Sequence, residues 1–170
     1  MKIFLIGYMG SGKSSCGKKL AEKLKMDFAD LDRYIEETSG KTISELFRTE
    51  GEERFREIEY NSLKHFLEQD NLVLATGGGT PYHYDSMDLM NRSGVTIYLK
   101  MSPELLAQRL ADEPDKRPLV SGMNKGELQQ FITVNLEKRE DYYLRANYKV
   151  KAKNLDIGEL AEFITKETVK

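Results

Sequence analysis

The sequence predicts an α/β fold of three α/β/α layers, built on a five-stranded, mostly parallel sheet. Three observations predict it. Short apolar runs alternate with longer amphipathic segments, the pattern of strands joined by crossover helices. A glycine-rich stretch, Gly7 to Gly12, links the first apolar run to the first amphipathic segment. Paired acids and further glycines follow the second and third runs, which gathers three loops at the carboxyl ends of the strands, where such sheets hold ligands.

The elements follow in order. Lys2 to Ile6 reads as a buried strand, and Lys13 to Leu24 as a helix with Cys16, Leu20, Ala21 and Leu24 on one face. Phe28 to Asp30 is a short second strand. Thr42-Ile43-Ser44-Glu45 is a capping box, so a helix starts there and runs toward Arg48. Gly51 interrupts it, and a charged helix follows from about Glu52 to Leu67. Leu72 to Ala75 is the third strand and Val95 to Leu99 the fourth. Ser102-Pro103 opens another helix, with serine as cap and proline in the first turn. Asp112 to Lys125 is polar, contains Pro114 and Pro118, and reads as a mobile loop. A helix from about Glu127 to Tyr143 comes next, then a fifth strand near Tyr148 to Lys151. Asp156 to Glu159 caps a last helix, whose Ile157, Leu160, Ala161 and Ile164 share a face.

Composition narrows the class. A chain of 170 residues is expected to form a single domain, 1–170. With 39% hydrophobic and 32% charged residues it reads as soluble and globular. The net charge of -2, with no basic stripe, argues against a nucleic-acid partner. No apolar run approaches the roughly 20 residues that span a bilayer, so no membrane partner is expected. Ile3 to Ile6 is too short for a signal-peptide core. Cys16 is the sole cysteine and cannot form an internal disulfide, so the expected location is cytoplasmic.

Gly7-Tyr8-Met9-Gly10-Ser11-Gly12-Lys13-Ser14 fits G-x-x-x-x-G-K-[ST], the Walker A or P-loop pattern, with the required strand before it and helix after it. Such a loop turns successive backbone N–H groups toward phosphate oxygens, and the helix behind it adds its positive end. Lys13 is then placed for the β- and γ-phosphates, and Ser14 for magnesium. A P-loop alone leaves ATPase, GTPase, kinase and regulatory binder open. Asp30-Leu31-Asp32 narrows the choice. Alternation along an extended segment would put both carboxylates on one side, one for the metal's water shell and one to take a hydroxyl proton. The alternative is a pair of solvated loop acids, with Asp32 capping a helix from Arg33. The third strand ends Ala75-Thr76-Gly77 without the Walker B aspartate, so a magnesium carboxylate must come from elsewhere.

Gly77-Gly78-Gly79 suits either a backbone that closely approaches a ligand or a flexible turn. Arg56, Arg117 and Arg139 carry guanidinium forks that grip carboxylates and phosphates. For Arg56 and Arg139 the competing reading is ordinary helix-surface pairing, such as Glu52 with Arg56. Arg117, in the proline-anchored Lys116-Arg117-Pro118-Leu119, is less easily explained that way. His65 and His83 read as bystanders, since isolated histidines do not make a metal site.

These motifs together resemble the shikimate kinase family, of the nucleoside-monophosphate-kinase-like group of P-loop folds. The match runs through Gly10-Ser11-Gly12-Lys13-Ser14, Asp30-Leu31-Asp32, Gly51 through Glu59, Gly77-Gly78-Gly79, Arg117-Pro118-Leu119, and Arg139 with Tyr143. The resemblance implies ATP-dependent phosphorylation of shikimate to shikimate 3-phosphate, with ATP and Mg2+ as cofactors. It implies a substrate-binding segment at about 31–62 and a lid at about 111–126. Lys13, Asp32 and Arg117 would be catalytic, with Asp32 on the acceptor hydroxyl. ATP would meet Gly10, Ser11, Gly12, Lys13, Ser14, Ser15, Arg109 over adenine, and Arg117 on the transferring phosphate. Ser15 stands where the family commonly has threonine, which keeps a hydroxyl. Shikimate would meet Asp32, Phe47, Phe55, Gly78 and Gly79, with its carboxylate on Arg56 and Arg139. Magnesium would take Ser14 and, through water, Asp30. The expected partners are the small molecules shikimate and ATP, and the expected state is a monomer. Two alternatives stand beside this. Another small-acceptor kinase, for gluconate or a nucleoside monophosphate, is disfavoured by the two-arginine clamp. A catalytically idle ATP-binding regulator is disfavoured by intact Lys13 and Asp32.

Overall fold

The central strand β1 (Lys2–Ile6) has Ile3, Phe4, Leu5 and Ile6 all fully buried, because helices cover both of its faces. The computed structural model describes residues 1–112, 120 and 122–168. Around β1 stand β2 (Asp27–Asp30), β3 (Leu72–Ala75), β4 (Val95–Lys100) and β5 (Tyr148–Lys151), in the order β2-β3-β1-β4-β5. All four pairings are parallel, so the mostly parallel expectation sharpens to wholly parallel.

The period-2 alternation of β1 sorts the core into two halves. Ile3 and Leu5 face α1 (Lys13–Leu24) and α7 (Ile157–Thr168), packing with Cys16, Leu20, Leu160 and Ile164. Phe4 and Ile6 face the opposite layer. That layer holds α2 (Leu31–Ser39), α3 (Ile43–Leu67), α4 (Ser86–Ser93), α5 (Pro103–Ala111) and α6 (Lys125–Tyr143). Among the described residues no helix is long and apolar enough to cross a membrane.

Local chemistry sets the helix ends. Thr42 and Glu45 form the expected capping box at the start of α3, and Ser102 accepts from the Leu105 amide at the start of α5. Asp156 likewise accepts from the Glu159 amide at α7. Gly51 breaks α3 as expected, at φ 82° and ψ 166°, a conformation essentially confined to glycine. The break lets Phe47 stack on Phe55 at 4.5 Å between centroids.

Three expectations are corrected. The α2 cap is Asp30, whose carboxylate accepts from the Arg33 amide at 3.2 Å; Asp32 instead lies in the first turn of the helix. Asp30 and Asp32 therefore do not share an extended segment, and their proximity comes from the strand-to-helix corner. Helix α6 begins at Lys125 rather than Glu127, because Asn124 and Glu127 form a second capping box. Helix α4 was not anticipated, although Asp85 at its N-cap and Asp88 in its first turn are ordinary start residues; Asp85 makes no side-chain cap bond there.

Candidate active site

The loop after β1 turns at Gly10 (φ 82°) and Gly12 (φ 91°), left-handed positions that favour glycine. Gly12 stands at the N-cap of α1, where no side chain satisfies the first amides and no acid occupies the first turn. The helix therefore presents unshielded N–H groups and its positive end to the space in front. Lys13 is buried and curls back over the loop, donating to the carbonyls of Gly7 at 2.7 Å and Tyr8 at 3.0 Å. A cavity of about 530 Å³ opens there, bordered by Gly10, Gly12, Lys13, Ser14 and Ser15 on one side and by Asp30, Asp32, Thr76 and Gly78 on the other. Ser11 is buried behind the loop.

Arg109, on α5, reaches the loop and donates to the Gly10 carbonyl at 3.3 Å. It borders the large cavity and also a second space of about 250 Å³ that includes Ser11, Ser15, Lys19 and Asn154. Arg109 thus stands where the two spaces meet. Asn154 enters from the β5–α7 connection, the stretch Lys153-Asn154 near which the family resemblance places a second adenine contact.

The Ser14 hydroxyl donates to the Asp30 carboxylate. A hydroxyl beside a carboxylate, with no nitrogen or sulfur donor, suits a hard cation such as magnesium. Among the described residues no group of three or more His, Cys, Asp or Glu could enclose a metal alone. A cation here would complete its shell with water and phosphate oxygen, which is how magnesium is usually held in phosphoryl-transfer sites.

Asp32 is half-buried at the cavity wall. Burial, then the charges of Glu59 and Asp30, push its carboxyl up to about 6, against the pull of Lys13. A carboxyl poised there is a better proton acceptor near neutral pH than an exposed aspartate.

Behind Gly78 stand the arginines, which do not themselves border the large cavity. The Arg56 side chain is only 10% exposed and pairs with buried Glu59 at 2.8 Å, while exposed Glu52 lies 3.7 Å from its Nε. Surface pairing with Glu52 is therefore the minor partnership. Arg56 Nε is buried without a hydrogen-bond partner, since the Glu52 carboxylate at 3.7 Å is too far to bond it. Its guanidinium also lies over the Phe55 and Phe47 rings, at 5.2 and 5.7 Å. Phe55 is buried and Phe47 half-buried, so the pair forms a wall beneath the cation.

The triple glycine is a close-approach element. A Cβ at Gly79 would lie 2.5 Å from Arg56 Nη1, and one at Gly77 would lie 2.7 Å from a Glu59 carboxylate oxygen. At Gly78 the nearest atoms would be the Met9 amide nitrogen at 3.3 Å and Arg139 Nη1 at 3.5 Å. Arg139 lies over the Tyr8 ring at 5.4 Å. The flexible-turn reading of these glycines gives way to a packed turn that brings two arginines to one place.

Glu59 makes contacts that the motif reading left open. Glu59 is buried, bonded to Arg56 and to the Thr80 hydroxyl at 2.8 Å. Its i, i+3 spacing from Arg56 was the available signal. His83, read as a bystander, is half-buried in reach of the arginines. Burial, then the charge of Arg56, with Arg139 adding to it, push its ring down to about 4. His65 stacks on Tyr34 at 5.2 Å and serves packing. Arg117 lies outside the described residues.

An all-parallel sheet in this order, with a phosphate-cradling loop after β1 and acids at the end of β2, defines a P-loop kinase of the nucleoside-monophosphate-kinase-like type. Residues 9–168 match the family model described as shikimate kinase. The shikimate kinase of Bacteroides thetaiotaomicron is 46% identical over 92% of this chain and 89% of its own. A crystal structure of shikimate kinase from that organism aligns at a TM-score of 0.93 and 42% identity, covering 100% of this chain and 99% of the other. Shikimate kinase from Acinetobacter baumannii, solved in complex with shikimate, aligns at 0.87 and 33% identity, covering 99% and 92%. The chain belongs to the shikimate kinase family.

Proposed function

We propose that this site transfers the γ-phosphoryl group of ATP to the 3-hydroxyl of shikimate, within one kinase domain spanning 1–170. The observation that carries the acceptor assignment is the buried Arg56, with an orphan Nε and Arg139 nearby across the glycine turn. Two cations placed so closely call for an anion, and guanidinium forks match a carboxylate.

Roles follow from position. The N–H groups of Gly10 to Ser15 cradle the phosphates, with Lys13 released from its loop carbonyls to the transferring group. Arg109 covers the base, and from the sequence Arg117 is assigned to the transferring phosphate. Asp32 directs the acceptor hydroxyl. That oxygen bonds to the γ-phosphorus as the bond to the β,γ-bridging oxygen breaks, and the hydroxyl proton passes to the Asp32 carboxylate. Ser14, and Asp30 through water, would hold magnesium, which would supply charge neutralisation at the phosphoryl oxygens. Phe47 and Phe55 support Arg56 from below, and Gly78 and Gly79 form the floor on which the acceptor rests.

The test is a cycle of two enzymes, wild type and Arg56→Ala, against two acceptors, shikimate and an analogue lacking the carboxylate. Removing one partner of a buried charge pair costs about 2–5 kcal/mol, or roughly 30-fold to several thousand-fold in kcat/KM. The loss from the analogue is expected to shrink in Arg56→Ala, with ATP affinity unchanged. Losses that simply add would mean that arginine and carboxylate do not meet.

A further inference from the structure

Tyr143 ends α6 with its ring fully buried, 5.1 Å from the Tyr98 ring. Its hydroxyl donates to the carbonyl of Gly78. Arg139 stands four residues earlier on the same helix face. Burial pushes the Tyr143 phenol up to about 12, against the pull of the nearby Arg139 charge. The phenol is therefore neutral at any working pH, and a neutral phenol both donates and accepts. Here the donation goes to the glycine turn, which Arg139 also approaches: a Cβ at Gly78 would lie 3.5 Å from Arg139 Nη1.

We propose that Tyr143 is a positioning residue for acceptor selection, its hydroxyl tying the Arg139 guanidinium to the Gly78 turn so that the arginine meets the acceptor carboxylate in one fixed direction. This rests on the reading that Arg139 holds a carboxylate. The physical need is plain. Arginine has long, rotamer-rich arms, and ordering them only when the acceptor binds costs affinity. Tyr8 supports the guanidinium from its face at 5.4 Å but does not set its rotation in the ring plane. A hydroxyl fixed by the backbone supplies that missing direction. The competing reading is a core tyrosine whose hydroxyl merely satisfies a carbonyl; such a residue would affect stability without affecting acceptor choice.

Tyr98 is the natural comparator. Its hydroxyl bonds to Glu140 at 3.4 Å, one residue from Arg139, without entering the Arg139–Tyr143–Gly78 arrangement. The experiment is steady-state kinetics of wild type, Tyr143→Phe and Tyr98→Phe with shikimate and with its neutral carboxamide analogue. ATP affinity and Tm are measured on each protein. Tyr143→Phe is expected to raise KM for shikimate roughly tenfold, as loss of a hydrogen bond to a charged group does, with a smaller change in kcat. It is also expected to lose most of the wild-type preference for the carboxylate, at unchanged ATP affinity, while Tyr98→Phe keeps that preference. A Tyr143→Phe enzyme with the full wild-type preference, whatever its Tm, overturns the positioning role. A wild type without any preference overturns the clamp reading itself and this proposal with it. Should Tyr143→Phe not fold, 4-fluorophenylalanine at position 143 fills the hydroxyl's volume and permits the same comparison.

Discussion

The carboxylate of Glu59 holds the guanidinium of Arg56 at 2.8 Å, and both side chains are buried. The pair sits directly behind the glycine turn, and Glu59 is also one of the charges that raise the proton affinity of Asp32. One residue thus touches the buried Arg56 cation and raises the Asp32 carboxyl, the two groups that the proposed function gives to the acceptor.

Replacing Glu59 with alanine leaves Arg56 buried without its main partner. Breaking a buried pair in this way costs about 3–5 kcal/mol. In a chain of this size that is a fall in Tm of roughly 10 °C. Glu59→Gln keeps a partner for the Thr80 hydroxyl and is expected to lose less. It also removes a charge that raises Asp32, so the acid limb of kcat/KM is expected to move to lower pH. A pH–rate profile unchanged in Glu59→Gln would separate Glu59 from Asp32.

Asp32→Asn is expected to lose turnover by about 10² to 10⁴, the usual range for a general base. Loose phosphoryl transfer places it toward the lower end. The same substitution is expected to stabilise the ligand-free protein at neutral pH. The Asp32 carboxyl is raised in the folded state from an ordinary 3.8 to about 6. Folding therefore favours the protonated form, and its contribution, full below about pH 4, is lost as pH rises through 6. Asparagine imitates the neutral acid, so its advantage in unfolding free energy is expected to be absent at pH 4 and to reach about 1–3 kcal/mol above pH 6. Melting curves across that range give the answer; an advantage that does not change with pH would point to packing instead.

Lys13→Ala removes the side chain to which the proposed function gives the transferring group. Phosphoryl transfer measured in a single turnover is expected to fall by at least about 10³, the scale of losing a group aimed at transition-state charge. Near-native turnover would remove the loop from the chemistry.

Gly79→Ala is expected to displace Arg56, because the new Cβ would stand 2.5 Å from Nη1 and 2.8 Å from Cζ. Overpacking of this kind costs about 1–3 kcal/mol. The acceptor KM is expected to rise while nucleotide affinity, measured by titration, stays at the wild-type value. A parallel loss of nucleotide affinity would mean that the whole loop end of the sheet had shifted.

Sequence by itself determined the strands, the phosphate loop and most helix starts, because these rest on short-range rules. Alternation and apolar runs mark β1 to β4, and three-residue capping contacts mark α3, α5 and α7. The loop pattern at Gly7 to Ser14 carries its own backbone requirement, met at Gly10 and Gly12. The family was also readable, since its motifs occur together in the right order. Tertiary structure decided what those residues do to one another. Asp30 became a helix cap and the partner of Ser14 because the chain turns a corner at Leu31, which a period-2 reading cannot foresee. Arg56 could have been a surface cation paired with Glu52; burial against Glu59 and Gly79 made it a desolvated one. The raised carboxyl of Asp32 and the lowered imidazole of His83 likewise depend on neighbours from other elements. Burial and charge proximity are properties of the assembled fold, set by contacts between residues distant in the chain, and spacing along the sequence carries no measure of them.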